Sequence, residues 1–201
     1  VFLYPSPLHY KIIPELIKKS KASIFFGTDT FLSSYAKVSK PEHYTNIRYV
    51  LAGAEKLKSN TKIIWKTNLN IDILEGYGVT ETSPVISLNT PTFNKHDSAG
   101  MLLPHIEFLK KNIDGVQEGG QLYVKGPNVM LGYIHPDKPG VIQPPENGWH
   151  DTGDIVEIDD EKFISIKGRV KRFAKIGGEM ISLATIDGFA SDLWPDATSV
   201  A

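Results

Sequence analysis

The sequence predicts an α/β protein with a parallel βα subdomain, an antiparallel subdomain of distorted-barrel type, and the truncated start of a small α+β domain. Up to about residue 90, short β-branched or aromatic runs alternate with longer amphipathic stretches, as in βα units around a parallel sheet. After Thr90 the runs become short and are separated by Gly, Pro and Asn, which points to antiparallel pairing. From Arg169 a further strand, a Gly-Gly turn and the helix-like "LATIDGFASDL" open another unit. The expected boundaries are 1–95, 96–168 and 169–201.

In chain order, "VFLY" is expected to form the first strand, followed by the amphipathic "LHYKIIPELIKKSK", whose terminal lysines suit a helix dipole. "ASIFFG" reads as the next strand. Thr28 or Asp29 then stands at an N-cap position ahead of "DTFLSSYAKV". "IRYVLAG", the helical "EKLKSNTKIIWKTN" and the strand "IDILEG" complete the alternation. The antiparallel candidates are "GMLLP", "IEFLKK", "QLYVKGP", "DIVEI" and "KFISIKG", whereas the Pro-rich "HPDKPGVIQPPENG" is expected to be an exposed loop. No internal repeat or low-complexity tract occurs.

The 201 residues are 41% hydrophobic and carry 22 basic and 23 acidic side chains, for a net charge of −1. That balance supplies no basic footprint for nucleic acid. No apolar run approaches the roughly 20 residues needed to span a bilayer, and nothing reads as a signal peptide. The chain therefore reads as soluble and cytoplasmic, and any association with the inner face of the membrane would come from segments outside it. Cysteine is absent, so any thiol chemistry must use a partner's thiol. Val1 falls inside an apolar run, and upstream sequence is expected. Without it, the "VFLY" edge would expose apolar surface and limit solubility.

The stretch "ILEGYGVTET" carries the first chemistry. A strand ending in Gly76-Tyr77-Gly78 lies where ligands collect in open α/β sheets. The two glycines admit close backbone approach to a flat ring, and Tyr77 offers a face to it. Thr80 supplies a hydroxyl and N–H for a phosphate oxygen, and Glu81 a carboxylate for a hard cation. A glycine turn with a polar exit explains the same residues. In "GWHDTGDI", Asp154 can face vicinal hydroxyls or simply form an Asx turn. Lys167, Arg169, Lys171, Arg172 and Lys175 precede the 177–178 turn and form either an anion site or a solvated basic face. His9, His43, His96, His105, His135 and His150 lack metal-ligand spacing, and each reads as a surface or loop residue. None has an Asp five positions on, as a membrane acyltransferase motif would require.

Taken in order, and with "LAGAEKL" at 51–57 and "KGPNVMLGY" at 125–133, these stretches resemble the adenylate-forming acyl ligases. This superfamily includes acyl-CoA synthetases, luciferases and peptide-synthetase adenylation domains. Within it, "VFLYPSPLHY", "AGAEKL", "ILEGYGVTE", "DTGDIV" and "KRFAKIGGEMISL" are similar to the bacterial synthetases that load acyl-carrier protein and are joined to a lysophospholipid acyltransferase.

The resemblance implies ATP and AMP as nucleotides with Mg²⁺. It places Tyr77 against adenine, with Gly76 and Gly78 beside it and Gly53, Ala54 and Glu55 on the opposite wall. It makes Thr80 the α-phosphate contact, Glu81 the metal ligand, Asp154 the ribose carboxylate and Arg169 the cation beside the nucleotide. Lys171 falls at the family's hinge, and Lys175 with the 177–178 turn faces the thioester-forming site. Gly76 and its strand also look like the floor of the acyl pocket. The implied partners are a long-chain fatty acid, acyl-carrier protein or coenzyme A, and a membrane-bound acyltransferase domain or companion chain. The family's phosphate loop and aromatic gate lie upstream of these residues and its terminal lysine downstream. Isolated, the segment is expected to be impaired in adenylation and to release no pyrophosphate. The competing reading is a nucleotide-binding remnant or split-gene product that works only with a companion chain.

Overall fold

The computed structural model describes residues 1–176 and 179–194. The chain divides into two compact units, one of Val1–Gly78 with Leu88–Asn94 and one of Val79–Ser87 with Lys95–Ala201.

In the first unit, α1 (Ile12–Ser20), β1 (Ile24–Gly27), α2 (Asp29–Ala36), β2 (Tyr49–Ala52), α3 (Ser59–Leu69) and β3 (Ile73–Gly78) alternate as the sequence predicts. The strands pair in parallel, β1 on β2 with Phe25 opposite Val50, and β2 on β3 with Val50 opposite Ile73. Parallel pairing requires long crossovers, and the intervening helices supply them. Leu32, Val50 and Trp65 are fully buried at the centre of an apolar cluster that also holds Ile17, Tyr35, Tyr44 and Ile73. The Trp65 indole N–H donates to the Leu32 carbonyl at 2.9 Å, so its one polar atom is satisfied inside that cluster. Helix α3 ends at Asn70, whose left-handed backbone (φ 54°) lets its N–H reach back to the Lys66 carbonyl.

Three sequence expectations change here. Residues 1–4 form no strand. Pro5 and Pro7 follow at once, no ladder partner among the described residues pairs with "VFLY", and Phe2 and Leu3 stay exposed. Thr28 occupies the N-cap position of α2 but makes no side-chain capping bond. His43 is buried rather than superficial: its Nδ1 accepts the Lys40 N–H at 3.1 Å, so Nε2 carries the proton and donates to Glu15 at 3.2 Å.

The second unit is built on antiparallel pairing. β4 (Val85–Leu88), all but its last residue in this unit, was not foreseen because its run is short and follows Pro84. The Leu103 N–H donates to the Ile86 carbonyl just after β5 (Met101–Leu102). β6 (Glu107–Lys111) and β7 (Gly120–Lys125) follow, and then the Pro-rich segment. That segment is exposed, as expected, but pins a two-residue ladder of β8 (Tyr133–Ile134) on β9 (Ile142–Gln143). β10 (His150–Ile158) and β11 (Ile164–Arg169) complete a four-stranded sheet in the order β11-β10-β7-β6. Leu122, Val124, Ile155, Val156 and Ile164 form its buried face. β12 (Phe173–Ile176) pairs antiparallel with β13 (Glu179–Ser182), and α4 (Leu183–Leu193) follows with the Ser182 hydroxyl capping the Thr185 N–H.

Candidate functional site

Each unit brings part of the predicted set together. In the first, the carboxyl ends of three parallel strands carry the loops. Gly53 follows β2, and its N–H donates to the Gly27 carbonyl. A Cβ on Gly53 would stand 3.7 Å from the Gly76 carbonyl oxygen, so Gly53, just past the end of β2, lies beside Gly76 on β3. Ala54 adopts a left-handed backbone (φ 67°), which turns the loop sharply. Tyr77 is buried on β3, flanked by Gly76 and Gly78.

Glu55 has structural work in this loop. Its Oε2 accepts both the N–H and the hydroxyl of Thr30, at 3.0 and 2.8 Å, and so caps the start of α2 in place of Thr28. Asp29 returns the bond by accepting the Lys58 N–H at 2.9 Å. Partial burial pushes the Glu55 carboxyl up, but the two donations from Thr30, with the Thr28 hydroxyl and the Lys58 charge, together hold the group below the usual range. Glu75 on β3 likewise accepts the Leu57 N–H and pairs with Lys62 at 3.1 Å.

In the second unit, residues 79–85 form a turn braced from several sides. The Thr82 hydroxyl sits between the Val79 and Pro84 carbonyls and accepts the Val79 N–H. The Asn128 amide donates at 2.8 Å to each of the Thr82 and Val85 carbonyls, and the Met130 N–H donates at 2.8 Å to the Glu81 carbonyl. The turn therefore exposes Thr80 and leaves the Glu81 side chain part-exposed. Tyr133 donates its hydroxyl to Glu81 Oε1 at 2.5 Å, and His150 Nε2 stands 4.0 Å from Oε2. The Tyr133 bond, then the donation from Glu81's own backbone N–H, with the lesser pull of His150 and Arg169, holds the Glu81 carboxyl below its usual range, so it is ionised at neutral pH.

Sequence reasoning assigned no role to Tyr133, Asn128 or His150. His150, read as superficial, is buried at the start of β10. It lies two residues before the Thr152-Gly153 turn and directly after Trp149, a clue that a lone histidine search by metal spacing does not register.

Asp154 and Arg169 are direct cross-strand partners on β10 and β11, and Arg169 Nε lies 3.1 Å from Asp154 Oδ1. The fifteen-residue interval is thus the length of a hairpin. The pairing of β10 with β7 shifts between Asp151 and Ile155, forming a bulge. Gly153 supplies its left-handed residue (φ 69°), Asp151 accepts the Gly153 N–H, and Thr152 accepts the Asp154 N–H. An Asx turn is therefore present, but Asp151 makes it. Asp154 emerges from the bulge buried, its side chain 4% exposed against 64% for Arg169.

The basic cluster is largely paired rather than an open anion site. Lys167 bonds Glu157 at 2.8 Å, and Arg172 bonds Asp187 at 2.6 Å. Lys171 lies exposed in a short 3₁₀ turn (Val170–Arg172) between β11 and β12. Lys175 is on β12 opposite Met180, while its side chain and the 177–178 turn lie outside the described residues.

Among the described residues, no group of three or more His, Asp or Glu side chains could enclose a metal, and no helix is long and apolar enough to cross a membrane. A single ionised carboxylate such as Glu81 does fit Mg²⁺, which takes most of its ligands from water and phosphate oxygens.

The same chain resembles known proteins along most of its length. It is 32% identical over 184 residues to a probable 4-coumarate–CoA ligase of Dictyostelium discoideum, covering 86% of this chain and 33% of that one. It is 33% identical over 150 residues to a long-chain-fatty-acid–CoA ligase of Schizosaccharomyces pombe, covering 70% and 22%. Its fold matches an O-succinylbenzoate coenzyme A synthetase of Bacillus subtilis in complex with ATP and magnesium ion, with a TM-score of 0.76 and 25% identity over 91% of this chain and 39% of that one. The chain thus spans a third or less of the length of these curated relatives. Residues 1–134 match the sequence profile of the AMP-binding enzymes, and the chain belongs to that family.

Proposed function

We propose that this chain is the central and hinge segment of an AMP-forming ligase that activates a long-chain fatty acid and passes it to the phosphopantetheine thiol of acyl-carrier protein. The observation that carries the reading is the braced 79–85 turn, which presents an ionised Glu81 beside an exposed Thr80 in a chain of the AMP-binding family. The choice of a long acyl chain is supported by the similarity to a long-chain-fatty-acid–CoA ligase. The choice of carrier protein rests on the motif resemblance alone, and coenzyme A is the competing acceptor.

In the reaction proposed, a fatty-acid carboxylate oxygen bonds to the α-phosphorus of ATP as the bond to the β-phosphate oxygen breaks, and pyrophosphate leaves. A thiolate then attacks the acyl carbonyl, and AMP departs with the bonding pair. Thr80 donates its hydroxyl to an α-phosphate oxygen, and Asp154 accepts from the ribose hydroxyls while Arg169 offsets its buried charge. Tyr77 with Gly76 and Gly78, and the loop of Gly53 and Ala54, whose shape Glu55 holds through Thr30, serve the adenine ring. Glu81 would hold Mg²⁺, which when bound neutralises phosphate charge. Lys171 would be the hinge and Lys175 would serve thioester formation. Linkage to lysophospholipid reacylation follows from the same resemblance.

Carboxylate-dependent exchange of pyrophosphate into ATP tests this reading. The protein carrying this chain is compared on palmitate, 4-coumarate and 2-succinylbenzoate, then on holo-acyl-carrier protein and coenzyme A as acceptors. Exchange driven by palmitate and transfer to the carrier protein are expected. Exchange driven only by the aryl acids would overturn the substrate, and transfer only to coenzyme A would overturn the acceptor.

A further inference from the structure

We propose that Tyr133 is a positioning residue that fixes the Glu81 carboxylate for a divalent cation, and that residues 126–133 act as one clamp on the turn that carries it. The inference rests on the assignment of Glu81 as the metal ligand made above. The clamp grips both levels of the turn. Asn128 and Met130 hold its backbone through three donations at 2.8 Å, and Tyr133 alone in this segment reaches the functional side chain, at 2.5 Å. These contacts bridge 43 to 52 residues of sequence, so a remote segment adds its braces to the bonds that Thr82 makes within the turn.

Tyr133 is held in turn. It begins the short ladder with β9, opposite Gln143. Gly132 before it has a backbone (φ 147°) at which a Cβ would collide with the Gln143 carbonyl, so only glycine brings the two segments that close. With Oε1 engaged by the phenol and His150 Nε2 4.0 Å from Oε2, the Glu81 carboxylate would meet a cation in one orientation. An outer-shell donor of this kind orients the ligand and lowers the entropy lost on metal binding.

The test is calorimetric titration with ATP, with and without Mg²⁺, on the wild type and on Tyr133→Phe, Glu81→Gln and the double variant. The readout is the factor by which Mg²⁺ tightens ATP binding, with metal-free AMP affinity and the thermal midpoint as controls. Tyr133→Phe is expected to reduce that factor by about tenfold, the low end of outer-shell effects because Tyr133 is 46% exposed. Metal-free AMP affinity stays unchanged, and Tyr133→Phe adds nothing once Glu81→Gln is present. An unchanged Mg²⁺ factor in Tyr133→Phe, with a reduced one in Glu81→Gln, would overturn the role of Tyr133 and leave the metal-ligand assignment standing. An unchanged factor in Glu81→Gln would overturn both.

Discussion

The loop after β2 and the turn at 79–85 are both polar, and both carry a glutamate with a depressed carboxyl, yet they are held in opposite ways. In the loop, the carboxylates do the holding: Glu55 caps Thr30, Asp29 accepts Lys58 N–H, and Glu75 accepts Leu57 N–H. In the turn, a threonine hydroxyl, an amide side chain and a backbone N–H hold the polypeptide, and Glu81 meets a phenol and an imidazole. A carboxylate that satisfies helix-end N–H groups is part of the scaffold. One whose backbone is secured by other groups is available to a ligand.

The largest effect expected lies in neither loop but beneath the first. Trp65→Ala should cost about 3–5 kcal/mol of stability, because losing a fully buried indole leaves a cavity and removes its hydrogen bond to the Leu32 carbonyl. Denaturant titration reads this directly. Asn128→Ala should cost about 1–3 kcal/mol by stripping two carbonyls of their donor, and should also weaken ATP binding, since the turn loosens.

Glu55→Gln and Glu81→Gln separate the two kinds of carboxylate. The first should lower stability by about 0.5–2 kcal/mol, as loss of a helix cap does, with metal-dependent ATP affinity intact. The second should chiefly lower metal-dependent ATP affinity, with the smaller loss of stability. If Glu55→Gln instead abolishes nucleotide binding with stability unchanged, the division fails.

Acid provides a finer probe. Glu55 and Glu81 both titrate lower when folded, so each contributes stability that is fully present above the ordinary glutamate value of 4.5 and is lost as pH falls through the depressed folded value. Stability measured from pH 6 downward should therefore drop below about pH 4.5, and less steeply in Glu55→Gln. The smallest effect belongs to Lys66→Ala. Its partner Asp72 and the lysine itself are both more than half exposed, so the change should be about 0–1 kcal/mol and vanish in high salt.

Much of the scaffold was legible because it depends on local pattern. β1, β2 and β3 follow from β-branched and aromatic runs, and α1 and α3 from their spacing. "VFLY" misled because composition gives a strand's propensity but not its partner. The site was legible where one hairpin places its members, as with Asp154 and Arg169. It was not legible where the partners lie far apart. "KGPNVMLGY" stood out as a motif, but nothing local reveals that Asn128 grips carbonyls 43 and 46 residues away or that Tyr133 reaches Glu81. His150 escaped notice for the same reason: its neighbour Glu81 comes from a distant turn.

The central claim is that the Glu81 and Asp154 carboxylates serve a nucleotide, and Asp154 tests it most directly. Calorimetric titration of wild type and Asp154→Asn with AMP, and separately with palmitate, should show AMP binding weakened about ten- to a hundredfold, as loss of hydrogen bonds to a charged acceptor implies. Palmitate binding and the thermal midpoint should be little changed. Equal AMP affinity in a folded Asp154→Asn protein would contradict the account and reduce the Asp154–Arg169 pair to a brace between β10 and β11.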